Sequence, residues 1–467
     1  MTFTNYFDAV DWGELIREYP IGAEFERRIA RLDRDQLHEL QNARFLQLMK
    51  RGWEVPFYRK LWTGKGIEPG DIRSIRDIVH LPTYSKSDLM KSVEEFPPFG
   101  DFHGLEGFRT PDGGRPPVIF HTTSGTTGTP QPLFFGPKSR ELQNVMLARA
   151  YSVMGLTSSD VVQSVYGFGT VNAGHYIREA ITHFTGALLL TTGTGAETRS
   201  QTQVEMMRRF GVTVLVGFAD YLRKLAEVAE EAGISPKHDL RVRAVFSHLG
   251  GESRERMSEA WGGAQVCDHY GVGDTGLMAA EKPGTSGMYL WEDAYFVELL
   301  DPESGKPVAD GEIGDICSTV LFKDDVYPVI RFNTHDLSAI DTSKTDSDWT
   351  LRRLRAFLGR SDNMVKLRGI NIYPTAIGEI VRQLPRANGE FLCRVTRAGT
   401  RDELTVAIET DAPTADRAGL ADEYRNTFRQ RVGVELQVEL VTPGALSSET
   451  GIETRQKPVR LVNERKR

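Results

Sequence analysis

VIFHTTSGTTGTPQPLFF, residues 118–135, sets two short apolar runs on either side of a stretch in which almost every residue is small, hydroxylic or turn-forming. VIF (118–120) and PLFF (132–135) read as strands. Glycine lets a main chain approach a ligand closely and take up positive φ. Successive N–H groups in such a turn make an anion-binding concavity, to which Ser and Thr hydroxyls add donors. A Gly/Ser/Thr segment standing alone reads as a surface loop. Gripped by two strands, this one reads as a loop for phosphate.

Outward from the loop, residues 116 to about 345 alternate short apolar runs with helical patterns: VVQSVYGFG, ALLLTTG, VTVLVGF, RAVFSHLGG and AQVCDHYG. That alternation predicts an α/β sheet with strands buried on both faces. Several runs end in glycine, so ligand-contacting loops should gather at their carboxyl ends. Residues 1–115 read mainly as helix, with Leu37, Leu40, Phe45 and Leu48 forming one amphipathic stripe. The last hundred residues read as a separate small unit. FLCRV (391–395), LTVAI (404–408) and LQVEL (436–440) alternate like half-buried strands, and TAIGEIVRQL and GLADEYRNTFRQRVG read as helices. With a strand near 365–368 the order becomes β-α-β-β-α-β. FLGRSDN (357–363) is the natural joint, which divides the chain into 1–361 and 362–467.

Bulk properties narrow the class. A 467-residue chain has ample length for a large core, and its 40% hydrophobic and 26% charged residues are ordinary for a globular protein. A formal charge of −7 without a long basic stripe argues against a nucleic-acid partner. No window approaches the ~18 apolar residues of a membrane span. The N-terminal stretch carries acids where a signal peptide needs basic and then apolar residues. The three cysteines, Cys267, Cys317 and Cys393, are far apart and fit a reducing compartment. The expectation is a cytoplasmic protein without a membrane or nucleic-acid partner, as a monomer or homodimer.

TSGTTG is not followed by the GK[ST] of a P-loop. It resembles instead the phosphate loop of the adenylate-forming (AMP-binding, acyl-CoA synthetase) superfamily. HLGGES (248–253), DHYGVGDTG (268–276), YPVIRFNTHDL (327–337), LGRSDNMVKLRGINIYP (358–374) and Lys457 in RQKPVRLV resemble further superfamily segments, in the superfamily's order. VPFYRKLWTGKGIEPGDIRSIRDIVHLPTYSKSDLM (55–90), LWEDAYFVELLDPESG (290–305) and RGINIYP resemble the phenylacetate-CoA ligase family in particular.

The resemblance implies a large N-terminal α/β domain of mixed and parallel sheets flanked by helices, with a small mobile C-terminal α/β domain. It implies ATP, Mg²⁺ and coenzyme A as reaction partners of a small carboxylic acid. Ser124, Thr126 and Thr127, with the amides of Gly125 and Gly128, would cradle the β- and γ-phosphates. Tyr270 would stack on adenine, and Asp268, Gly250, Gly251 and Glu252 would line the adenine side. Asp336 would accept the ribose hydroxyls, Arg360 would place charge near ribose and α-phosphate, and Asp274 would hold Mg²⁺. Lys457 matches the catalytic lysine and Asp362 the hinge.

Tyr166, Phe168 and His175, in YGFGTVNAGHYIREA, fall where the family walls its carboxylate pocket. Rings among glycines suit an aromatic acid, though they equally suit plain core packing. The chain departs from the family at Thr129, Gly273, Asp274 (for Glu), His335 and Asn363, which points to a specialised member. The alternative acceptors are a carrier-protein thiol, an amine or an inorganic nucleophile. A nucleotide-binding regulator without activity would need neither Lys457 nor Asp274. His121 could touch a phosphate or make a structural hydrogen bond. Cys267, His269, Cys317 and His248 lack the paired spacing of a zinc site, and Cys393 reads as core. The basic end VRLVNERKR could attract coenzyme A phosphates, but reads first as a solvated tail.

Overall fold

The computed structural model describes residues 5–109, 113–123, 130–367, 370–398, 401–455 and 458–465. Five of the apolar runs form neighbouring parallel strands: Leu188–Thr191, Val161–Ser164, Val214–Phe218, Ala244–His248 and Gln265–Val272, in that spatial order. The sheet continues antiparallel through Gly276–Glu281, Met288–Leu290 and Arg353–Leu354, making eight strands. Burial on both faces holds for the inner strands, while Leu188–Thr191 is the partly exposed edge.

A second, four-stranded antiparallel sheet runs Tyr295–Leu300, Gly314–Val320, Phe332–Ser338 and Gly359–Arg360. Ile119–Thr122 and Pro132–Phe135, the strands on either side of the Gly/Ser/Thr stretch in sequence, pair with each other antiparallel.

The N-terminal segment is helical as its periodicity suggested. In Arg34–Glu54, Leu37, Phe45 and Leu48 are buried, with Gln41 between them and Leu40 half-buried. One helix defied pattern reading. Pro137–Val153 is buried almost all round, yet carries Arg140, Glu141, Gln143, Asn144 and Arg149. Its charges are matched from other elements: Arg149 bonds Asp293 at 2.7 and 3.1 Å with both side chains fully buried. Removing one partner would strand a buried charge, at a cost of roughly 3–5 kcal/mol. Among the described residues no helix is long and apolar enough to cross a membrane.

From Val365 onward the chain has its own core, built on Ile377, Val381, Phe391, Val395, Tyr424 and Phe428. Its four-stranded sheet runs Gln437–Val441, Arg401–Thr410, Ala387–Ala398 and Leu461–Asn463. The β-α-β-β-α-β order holds along the chain, but its first strand lies outside this sheet. Val365–Leu367 does form a strand, but among the described residues it pairs with Ile370–Ile372 and not with this sheet. Leu461–Asn463 takes the sheet edge, parallel to Ala387–Ala398, although three residues carry too little alternation to be seen in sequence.

Ion pairs join this C-terminal unit to the rest of the chain. Arg382 donates to the Gly251 carbonyl at 2.6 Å and pairs with Glu252 at 3.2 Å. Arg460 meets Asp220 at 3.2 Å, and Arg223 meets Glu390 at 2.7 Å. Burial would raise the Asp220 carboxyl, yet Arg460, Arg382 and Arg223 hold it below its ordinary value.

Candidate active site

The root of the hairpin loop is tied to the chain's central acid. Thr123 N–H donates to Gln131 O at 3.0 Å, and Gln131 N–H donates back to Thr123 Oγ1 at 3.2 Å. The Gln131 amide then reaches Asp274 Oδ1 at 2.6 Å, where the Tyr327 hydroxyl also donates at 2.6 Å. Lys323 donates to the Asp274 carbonyl at 2.7 Å and lies over the Tyr327 ring. Burial pulls the Lys323 ammonium down to about 8. Asp274 is buried, and among the described residues the hydrogen bonds to its side chain fall on one oxygen. A single carboxylate completed by phosphate oxygens is a usual Mg²⁺ ligand set, and Asp274 fits it. Ser124, Gly125, Thr126, Thr127, Gly128 and Lys457 lie outside the described residues.

A second cluster joins the adjacent segments. The Tyr270 hydroxyl donates to Asp336 Oδ2 at 2.7 Å, and Arg360 Nη1 donates to Asp336 Oδ1 at 2.7 Å. Arg360 also grips both oxygens of Asp362, at 2.8 and 2.7 Å. Four of the candidate residues thus form one hydrogen-bonded chain from the sheet to the joint. His335, just before Asp336, has φ of 58°, a left-handed conformation rare for a side-chain-bearing residue. It meets Asp315 at 3.2 Å, and that hydrogen bond raises its pKa.

On the remaining side, Gly250 and Gly251 have φ of 58° and 94°, a backbone path that glycine alone takes cheaply. Asp268 accepts from Leu249 N–H at 3.1 Å and His269 N–H at 2.8 Å, and so braces this turn from below. Burial, reinforced by Glu281, pushes its carboxyl up to about 7. Glu252 faces the C-terminal unit, between Arg223 at 3.6 Å and Arg382 at 3.2 Å.

The candidate wall is aromatic. The buried Tyr166 ring packs on Phe218 at 4.7 Å, and His248 packs on Phe357 at 5.2 Å. Phe168 and His175 are half-buried with centroids 5.4 Å apart, and His175 Nε2 sits 2.9 Å from the Phe168 carbonyl. His121 stacks on His175 at 4.8 Å, where burial, then Arg140 and His175, depress its pKa to about 4. The glycines divide: Gly169 borders open space, whereas a Cβ on Gly174 would fall 2.3 Å from the Gly167 carbonyl. Gly174 serves helix packing, not pocket room.

Among the described residues no three His, Cys, Asp or Glu side chains approach closely enough to hold a metal between them. Gln131, Tyr327, Lys323, Phe218 and Lys86 were not singled out in the sequence. Gln131, Tyr327 and Lys86 lie inside the stretches 118–135, 327–337 and 55–90, and the position within those segments is the signal that could have found them.

The chain matches the model of the AMP-binding enzyme family over residues 77–319 and that of the AMP-binding enzyme C-terminal domain over 369–465. It is 28% identical over 438 residues to a phenylacetate-coenzyme A ligase of Aromatoleum evansii, covering 90% of this chain and 94% of that one. The structure of a 2-hydroxyisobutyryl-CoA ligase in its postadenylation state aligns with a TM-score of 0.80 at 26% identity, over 94% of this chain and 92% of that one. The same ligase in its thioesterification state aligns with a TM-score of 0.66 at 27% identity, over the same shares of the two chains. With one model matching more than half of its length and the second covering its C-terminal unit, this chain belongs to the AMP-binding enzyme family.

Proposed function

We propose that the protein activates a carboxylic acid, aromatic by preference, with ATP and passes the acyl group to coenzyme A. The observation that carries this is the joining of Asp274 to the root of the hairpin loop, beside the Tyr270–Asp336–Arg360–Asp362 chain, in a member of the AMP-binding family. A carboxylate oxygen of the acid attacks the α-phosphorus, and the bond to the bridging oxygen breaks as pyrophosphate leaves. The thiol of coenzyme A then attacks the adenylate carbonyl, loses its proton, and AMP departs.

Asp336 accepts the ribose hydroxyls while Tyr270 and Arg360 hold its carboxylate in place. Tyr270 stacks on adenine beside Gly250 and Gly251. Asp274 is the residue that would hold Mg²⁺, whose charge, when bound, offsets that of the phosphates. Ser124 to Gly128 cradle those phosphates, and Lys457 stabilises the charge that develops during adenylation. Tyr166, Phe168 and His175 wall the acid.

Asp362 acts as the hinge between residues 1–361 and 362–467, absorbing the change in a few dihedrals. The greater likeness to the postadenylation state supports reading the present arrangement of the two units as the one that accompanies adenylation.

Pyrophosphate release measured across phenylacetate, benzoate, 2-hydroxyisobutyrate, acetate and butyrate tests the reading. Aromatic acids should turn over fastest. Equal turnover of acetate would remove the aromatic preference, and release with none of a broad panel would remove the function. Lys457→Ala should abolish adenylation yet spare thioester formation from a supplied acyl-adenylate. Equal slowing of both half-reactions would make the lysine structural.

A further inference from the structure

Lys86 is the first residue of the helix Lys86–Glu95, whose N-terminus is closed by a capping box between Ser85 and Asp88. A cation in the first helical turn opposes the helix dipole. Burial opposes it too, pulling the half-buried ammonium below its ordinary value. Despite both penalties, its one recorded hydrogen bond among the described residues goes to a neutral group, Thr123 Oγ1 at 3.2 Å.

The other cations nearby are already occupied. Arg360 is held by Asp336 and Asp362, and Lys323 by the Asp274 carbonyl. Among the described residues Lys86 has no carboxylate within ion-pairing distance, although Asp274, Arg360 and Asp362 are all close enough to act on its charge. Thr123 is the last described residue before the loop, and through Gln131 it leads to Asp274. The ammonium thus stands at Thr123, within electrostatic reach of the acid proposed for the metal and of the arginine proposed for the ribose side.

We infer that Lys86 binds the triphosphate of ATP, gripping the phosphates that leave as pyrophosphate. A partly desolvated ammonium with no carboxylate partner among the described residues gains most from a multiply charged oxyanion. Thr123 is its hydrogen-bond partner, and Asp274, Arg360 and Asp362 are the charges that act on it. This rests on the adenylation reading, and it adds a binding residue from the N-terminal segment, within the 55–90 stretch, where the motifs assign no role.

The test is titration of wild type, Lys86→Met and Lys86→Arg with ATP and with AMP in magnesium buffer, followed by calorimetry. Lys86→Met should weaken ATP by about tenfold or more while AMP changes by less than about twofold. Lys86→Arg should lie between wild type and Lys86→Met. Removing a cation that burial and the helix dipole both disfavour should leave the unfolding midpoint of Lys86→Met unchanged or raised. Three outcomes overturn the proposal: ATP and AMP weakened equally, ATP unaffected, or a raised KM for the acid with ATP affinity intact, which would hand the lysine to the substrate carboxylate. Nucleotide affinity is read without turnover. Failure of the ligase reading would show instead as wild type that binds ATP but releases no pyrophosphate with any acid.

Discussion

Asp274 separates two things a carboxylate can do. Its Oδ1 takes hydrogen bonds from Gln131 and Tyr327, which orient it; its charge is what a metal would use. Asp274→Asn keeps an acceptor for those donors and removes the charge, so it should fall nearly as far as Asp274→Ala, on the order of a hundredfold in adenylation. Asp274→Glu should retain measurable activity. Rates measured against Mg²⁺ concentration check all three, and an Ala variant at the wild-type rate in limiting Mg²⁺ would remove the metal assignment.

His269 makes a second test at this scale. It is buried with Nδ1 unpartnered among the described residues, and burial alone depresses its pKa to about 4. Between the ordinary value of 6.5 and that value the unfolded chain binds the extra proton, so this residue subtracts stability as pH falls through that window. Asp268, raised to about 7, works in the opposite sense over much of the same range. The clean readout is therefore a difference: His269→Gln should show less loss of unfolding free energy between pH 6.5 and 4 than wild type, in denaturant titrations at each pH. An identical pH slope would mean that the imidazole is not held neutral.

At the scale of elements, period and punctuation carried the parallel strands, the helical N-terminal segment and the hairpin flanks. These signals are local, written within four to twenty residues. The buried helix Pro137–Val153 was opaque for the same reason. Its charged residues Arg149, Arg140 and Glu141 are met by Asp293, Glu179, Asn172 and His183, which no local pattern reveals.

The turn that carries Asp274 has its own requirement. A Cβ on Gly271 would fall 2.3 Å from the Gly276 carbonyl oxygen and 2.6 Å from Leu277 Cα, at a shift of register between Gln265–Val272 and Gly276–Glu281. Backbone cannot step aside as a flexible side chain would. Gly271→Ala should lose roughly 1–3 kcal/mol of stability by overpacking. It should also slow adenylation, because residues 272–276 must shift. Urea unfolding beside single-turnover adenylation measures both, and unchanged stability would refute the close packing.

For the whole molecule, the pairs Arg382–Glu252, Arg460–Asp220 and Arg223–Glu390 hold the C-terminal unit where it is. Arg382 also donates to the Gly251 carbonyl, so the glycine turn proposed for adenine and the C-terminal unit are mechanically joined. Among the described residues, Arg382→Ala leaves Glu252 with Arg223 as its one cationic partner and removes the side-chain donor to that carbonyl. If the present arrangement serves adenylation, the variant should slow pyrophosphate release several-fold while thioester formation from supplied acyl-adenylate changes less. Faster cleavage near residue 362 in limited proteolysis should accompany it. Equal slowing of both half-reactions, with unchanged proteolysis, would show that these pairs do not govern the arrangement.

By itself the sequence determined the α/β class, the loop between two strands, the chemical kinds of the candidate residues and the existence of a distinct C-terminal unit, because each is written in short-range pattern or motif. Only the tertiary structure decided that Val365–Leu367 leaves the C-terminal sheet, that Leu461–Asn463 takes its edge, that Glu252 faces Arg382, and that Lys86 stands at Thr123. Each of these depends on a partner 30 or more residues away or on a choice between competing partners. Pairing energy at that range depends on where folding has brought the chain, which no local window contains.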